Sequence, residues 1–213
     1  MRKLDWYFDY ISPYACLGFH RLKELPEDIE VTFKPTLFAG LLKATGNKGP
    51  AEIDGKRLHT YRQTQWQADR MGVPFRYPAG HPFVPLKVLR LTIALGPTHD
   101  LVGKIFDAIW NKGWLPDDPQ GWQSICEFLG VEDGDLLVSK PEVKSALIQN
   151  VDEALAKNIF GVPTAVIDGE LFWGVDATDM LLDYLENPAL FESPDMARLS
   201  ILTKSAERKE VKA

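Results

Sequence analysis

Phe8-Asp9-Tyr10-Ile11-Ser12-Pro13-Tyr14-Ala15-Cys16 changes its period in the middle. Upstream, residues 4–10 alternate polar and aromatic side chains, the two-residue repeat of a strand. Downstream, Tyr14, Leu17, Gly18, Arg21, Leu22 and Leu25 recur at helical spacing until Pro26 stops the run. Ser12-Pro13 stands at the junction, in the form of a helix N-cap followed by proline at the first helical position. A strand ending on such a cap sets a hydroxyl beside unsatisfied backbone N–H groups. The potential there is positive and favours an anion, a thiolate included. Ser-Pro is also an ordinary helix cap, and this stretch alone leaves both readings open.

Working outward, residues 29–37 read as a second strand, with Ile29, Val31, Phe33 and Thr36 supplying β-favouring side chains. From about Ala39 to Lys157 the pattern is helical, broken by Gly/Pro clusters. Helices are expected over 57–71, 86–95, 99–111, 119–129 and 141–157. Thr164-Ala165-Val166-Ile167 is then a short apolar strand, Asp168-Gly169 a tight-hairpin dipeptide, and Glu170-Leu171-Phe172-Trp173 its partner. Residues 176–185 read as a closing helix. The order β-α-β, helical block, β-β-α predicts an α/β protein: a thioredoxin-like domain, residues 1–38 and 158–190, with a helical insertion over 39–157 and a tail over 191–213.

The 213 residues are 45% hydrophobic and 25% charged, enough for one substantial core and unlike a disordered or membrane chain. No apolar run approaches the ~20 residues that span a bilayer. The N-terminus has no signal-peptide pattern, so the expected location is the cytoplasm. The formal charge of −6 argues against nucleic acid as a partner. Cys16 and Cys126 form no C-x-x-C, and four scattered histidines, His20, His59, His81 and His99, show no metal-ligand spacing, so neither a disulfide framework nor a metal is expected. The basic stretch from Arg198 onward reads as a solvated, frayed terminus.

Three further stretches carry candidate chemistry. Val162-Pro163, between a helix and a strand, is a candidate cis bond whose preceding backbone groups can pair with an extended ligand; a plain loop proline is the alternative. Phe172-Trp173-Gly174-Val175-Asp176-Ala177 is a Gly-then-acid turn in which Asp176 is a helix cap, a ligand contact, or both. Lys43-Ala44-Thr45-Gly46-Asn47-Lys48-Gly49-Pro50, followed by Lys56, is a basic loop able to hold a carboxylate.

In order and spacing, residues 8–14, 43–47, 161–164 and 172–176 resemble the 2-hydroxychromene-2-carboxylate isomerases and the kappa-class glutathione transferases, thioredoxin-like relatives of the disulfide oxidoreductases. The resemblance runs over roughly residues 3 to 186. It implies glutathione as cofactor, with Ser12 donating to its sulfur in place of a redox cysteine and lowering the thiol pKa from ~8.5. It further implies Val162 pairing with the cysteinyl part beside cis-Pro163, and Gly174, Val175 and Asp176 meeting the γ-glutamyl end. Asn47 and Lys56 would hold the glycyl end. A homodimer and a small aromatic-derived substrate are implied as well. The implied reaction is isomerisation: thiolate addition to a conjugated double bond, rotation, and release of unconsumed glutathione. A transferase or peroxidase that consumes glutathione, and a non-catalytic binding module, are the alternatives.

Neither end of Ser12-Pro13-Tyr14-Ala15 is cysteine, which argues against dithiol chemistry, and Cys16 is expected to be buried. Two departures from the family pattern stand out: Ala177 replaces a usual arginine, and His81-Pro82-Phe83-Val84-Pro85 replaces an asparagine-containing stretch near the second-substrate pocket. Tyr14, Phe38, Phe83, Trp110 and Trp114 are candidates to line an aryl pocket, with core the expected place for most.

Overall fold

The computed structural model describes residues 1–203 and 205–206. The opening period change produces strand β1 (Arg2–Phe8) and helix α1 (Pro13–Arg21). β1 pairs in parallel with β2 (Ile29–Pro35) and antiparallel with β3 (Thr164–Ile167), which pairs antiparallel with β4 (Glu170–Trp173). The sheet order is β2-β1-β3-β4, the expected thioredoxin-like α/β arrangement.

β1 is paired along both edges, and its alternation sorts the core into two sides. Trp6 and Phe8 stack at 4.8 Å and meet Phe33 and Phe106 on one face. Tyr7 points to the other, where Leu41, Ala154, Ile159, Val162 and Val166 enclose it. The Tyr7 hydroxyl donates to Glu153 at 2.7 Å, and Lys34 pairs with the other Glu153 oxygen at 2.9 Å, fastening this side of the sheet at its polar rim.

The helices between β2 and β3 are α2 (Phe38–Thr45), α3 (Asp54–Met71), α4 (Leu86–Leu95), α5 (His99–Trp110), α6 (Pro119–Leu129), α7 (Gly134–Ser139) and α8 (Pro141–Ala156). Two of them, α2 and α7, are not among the individual helices expected from the sequence, and α7 begins at a marked break. β2 ends at Pro35 rather than at residue 37, and Lys43–Thr45 belong to α2 rather than to a loop. Gly46 closes α2 at φ +68°, a conformation costly for a residue with a Cβ. α1 lies against α3 through Leu17, Ala68 and Val175, with Tyr14, Met71 and Phe75 beside them.

The chain forms two compact units, Met1–Thr178 and a second beginning at Asp179. The expected closing helix is split. A 3-10 turn takes Val175–Ala177, and α9 runs Thr178–Glu186. In the second unit Tyr184 stacks on Phe191 at 5.4 Å. Arg198–Ile201, expected as frayed, is an exposed 3-10 turn; the other basic tail residues, Lys204, Arg208, Lys209 and Lys212, lie outside the described residues.

Candidate functional site

The loop from Asp9 to Ser12 is held at every carbonyl. Asp9 O accepts from Ser12 N at 3.1 Å, and Tyr10 O from the Trp110 indole N–H at 2.8 Å. Ile11 O receives His81 Nε2 at 2.9 Å. Ser12 O accepts the first helical N–H groups, Ala15 at 3.1 Å and Cys16 at 3.2 Å. Asp9 fixes the loop from its other side. Its fully buried carboxylate accepts from Ile11 N at 3.1 Å and from Phe38 N at 2.9 Å. That second bond caps α2, whose own N-cap, Leu37, has no side chain able to do so. Burial pushes the Asp9 carboxyl up to about 7, against the lowering effect of the Phe38, Ile11 and Tyr10 amides.

On this frame Ser12 is only 7% exposed. Its hydroxyl accepts from Ala15 N at 3.2 Å and donates to Val162 O at 3.3 Å, near the long limit for such a bond. Pro13 brings no N–H to the helix start, and the Tyr14 N–H has no partner among the described residues. Val162–Pro163 is cis, as the sequence reading anticipated. The Pro163 ring lies against α1 so closely that a Cβ on Gly18 would stand 3.4 Å from its Cγ.

Pro163 O accepts from Gly174 N at 2.8 Å, which brings the Gly-then-acid turn to the same place. Gly174 has φ +91°, and a Cβ there would meet Asp176 Oδ1 at 2.3 Å, so the carboxylate is folded back over the glycine. Asp176 is exposed, stands at the turn that leads into α9, and has no hydrogen-bond partner among the described residues. Burial raises the Tyr14 hydroxyl above its usual pKa, opposed by Thr60 and assisted by the nearby Asp176 charge.

Ser12, Val162, Pro163, Gly174, Val175 and Asp176 are therefore brought together by two linking hydrogen bonds. Asn47 and Lys56 are not joined to this chain of contacts. Asn47, just past α2, is exposed and its amide donates to Thr45 Oγ1 at 3.1 Å. Lys56 is exposed in the first turn of α3, one turn before Thr60 on the same helix face. That face reaches α1, because Tyr14 donates to Gln63 Oε1 at 2.8 Å. Ala177 sits in the 3-10 turn with no polar group to offer, and the cation at this turn is Arg21, which donates to Val175 O at 3.4 Å and pairs with Glu24 at 2.7 Å.

Cys16 is 2% exposed, its thiol driven far up by burial and further by Asp107. Cys126 is raised as well, burial again leading. Of the aromatic candidates, Phe83 and Trp110 are core. Sequence reasoning missed Asp9 and His81 as loop-holding groups. A lone carboxylate between Phe8 and Tyr10 was a usable signal for the first. Nothing local to residue 81 indicated its bond to Ile11, seventy positions away.

A strand-cap-helix start facing a cis-proline defines a class of protein. Residues 3–186 match the DsbA-like thioredoxin domain, and the chain belongs to that family. Within it, the chain is 28% identical over 185 residues to a 2-hydroxychromene-2-carboxylate isomerase of Pseudomonas sp. (strain C18), covering 84% of this chain and 87% of the relative. It is 27% identical to glutathione S-transferase kappa 2 of Caenorhabditis elegans, covering 90% and 94%. A solved structure of 2-hydroxychromene-2-carboxylate isomerase superposes with a TM-score of 0.74 at 23% identity, covering 91% of this chain and 98% of that one. No helix among the described residues is long and apolar enough to cross a membrane.

Proposed function

We propose that the protein is a glutathione-dependent isomerase of 2-hydroxychromene-2-carboxylate-type intermediates of aromatic breakdown. The observation that carries this reading is the Ser12 hydroxyl, aimed between a helix start and Val162 O, at the place where a redox relative carries its cysteine. Glutathione supplies the thiolate nucleophile, which adds to a conjugated double bond and leaves after the bond has turned. The residues present fit it. The Ser12 proton is weakly engaged, and turning it toward a sulfur anion frees the Val162 carbonyl for an incoming amide N–H. The Tyr14 N–H adds a second donor at the positive end of α1. The unpartnered Asp176 carboxylate suits an ammonium group at the γ-glutamyl end. Lys56 and Asn47 are the groups proposed for the glycyl end, reached along the α3 face that contacts Tyr14.

On the same reading the helices of residues 39–157 are an insertion between thioredoxin-like segments 1–38 and 158–190, and the protein works in the cytoplasm as a homodimer. A kappa-type transferase is the second reading, favoured by the Caenorhabditis elegans relative, which matches over 90% of this chain. The two differ in whether the thiol is consumed.

The test is absorbance of the glutathione thiolate across pH with wild type and Ser12→Ala, followed by turnover of a 2-hydroxychromene-2-carboxylate. A thiolate formed well below the free-thiol range in wild type only, and many turnovers per glutathione, are expected. Stoichiometric loss of glutathione selects the transferase. No bound thiolate in either protein overturns the glutathione reading.

A further inference from the structure

His81 holds the peptide in front of Ser12, and its contacts can be counted proton by proton. Nε2 is 2.9 Å from the Ile11 carbonyl, which has no proton to give, so Nε2 carries a hydrogen. Nδ1 is 2.9 Å from the Tyr61 hydroxyl, and that hydroxyl is 2.7 Å from the His81 carbonyl oxygen. A tyrosine has one proton to donate. If the ring is neutral, Nδ1 and the His81 carbonyl compete for it, and one contact is left without a hydrogen. If the ring is an imidazolium, Nδ1–H donates to the Tyr61 oxygen and the Tyr61 proton goes to the carbonyl. All three contacts are then hydrogen bonds.

Burial pulls the other way, lowering the imidazole below its ordinary pKa, while the bond to Ile11 raises it. The groups facing the ring are Tyr77 at 5.6 Å and Phe83 at 6.0 Å on its own loop, Trp110 on α5 at 5.7 Å, and Tyr61 on α3 at 5.3 Å. Arg57, one turn before Tyr61, lowers the pKa of that hydroxyl against the larger effect of burial and pairs with Asp54 at 3.0 Å. In the Ser12 loop the other titrating group is Asp9, which holds Ile11 by its N–H.

We propose that His81 is a positioning residue for Ser12: protonation completes the Tyr61–His81–Ile11 chain and fixes the peptide that aims the hydroxyl, and deprotonation loosens it. Its consequence for glutathione rests on the function proposed above; the coupling itself does not. The acid form thus has the firmer loop, while thiolate formation calls for higher pH, so the two requirements oppose each other across the histidine range.

The experiment follows the His81 ring and the Ser12 amide by NMR in glutathione-free protein, from about pH 4.5 to about pH 8, a range that brackets an ordinary imidazole. In wild type the Ser12 amide is expected to show a step at the His81 midpoint. In Tyr61→Phe that step moves to lower pH together with the ring, because the imidazolium loses an acceptor. A step belonging to Asp9 stays in place. In His81→Gln, whose amide can still donate to Ile11, the step vanishes. Glutathione affinity below the imidazole midpoint is expected to fall about fivefold in Tyr61→Phe, the worth of one hydrogen bond. A Ser12 step at the wild-type His81 midpoint, distinct from the Asp9 step, that survives His81→Gln, or that stays put in Tyr61→Phe while the ring midpoint moves, overturns the proposal. If His81→Gln does not fold, Tyr61→Phe decides alone. Failure of wild type to bind glutathione counts against the proposed function and leaves the NMR result to judge the coupling.

Discussion

Replacing Asp9 by asparagine removes a titration that the fold has displaced. The carboxyl is fully buried and sits at about 7 against an ordinary 3.8. Because the folded pKa is the higher one, the native state binds the proton more tightly than the unfolded chain. The associated stability is fully present below 3.8 and is lost as pH rises through about 7. At about 1.4 kcal/mol per pH unit, the displacement amounts to about 4 kcal/mol between those limits. The Asp9→Asn variant has no such dependence, although its amide NH2 must face the N–H of Ile11 or Phe38 and lowers stability at every pH. The assay is urea unfolding of wild type and Asp9→Asn at constant ionic strength in half-unit steps. The wild-type advantage should shrink by about 4 kcal/mol from about pH 4 to about pH 7 and then level off. A difference that stays flat would show that the three amides fully offset burial. One that grows with pH would show a depressed carboxyl and refute the argument.

Ser12→Ala also loses a cap, and in glutathione-free protein should reduce stability by about 1 kcal/mol in urea. Gly121→Ala should cost about 3 kcal/mol or more, read as a fall in thermal midpoint, because its Cβ would lie 2.1 Å from the Leu115 carbonyl oxygen, which is backbone and has nowhere to swing. Neither cysteine should react with an aromatic disulfide reagent in the native protein near neutral pH, since burial raises both thiols, while the unfolded chain should release two equivalents. Rapid native labelling of Cys16 would contradict its placement in the core.

What was readable in the sequence had a local cause. The period change at Ser12-Pro13, the Asp168-Gly169 hairpin and the proline-led helices α6 and α8 all depend on residues within a few positions of one another. The start of α2 was hidden because its cap comes from Asp9, twenty-nine residues upstream, while Leu37 reads as the end of a strand. α7 is a short helix begun at a glycine in a stretch marked as a break. The closing helix was placed too early because Val175–Ala177 turn more tightly than an α-helix. In the site, Ser12, Val162, Pro163 and the Gly174 turn were legible by motif. The side chains of Trp110 and His81 were not, since their bonds to Tyr10 and Ile11 come from tertiary approach alone.

That long-range hold on the Ser12 loop sets an order in time. Ser12 is made well before the groups that hold it: His81 through Ile11, Trp110 through Tyr10, and finally Val162, 150 positions later. At synthesis rates of about 5–20 residues per second, roughly 8 to 30 seconds separate the hydroxyl from the carbonyl that receives it. A ribosome-bound chain stopped short of that carbonyl has the serine and the helix it caps, but not the arrangement that Val162 completes.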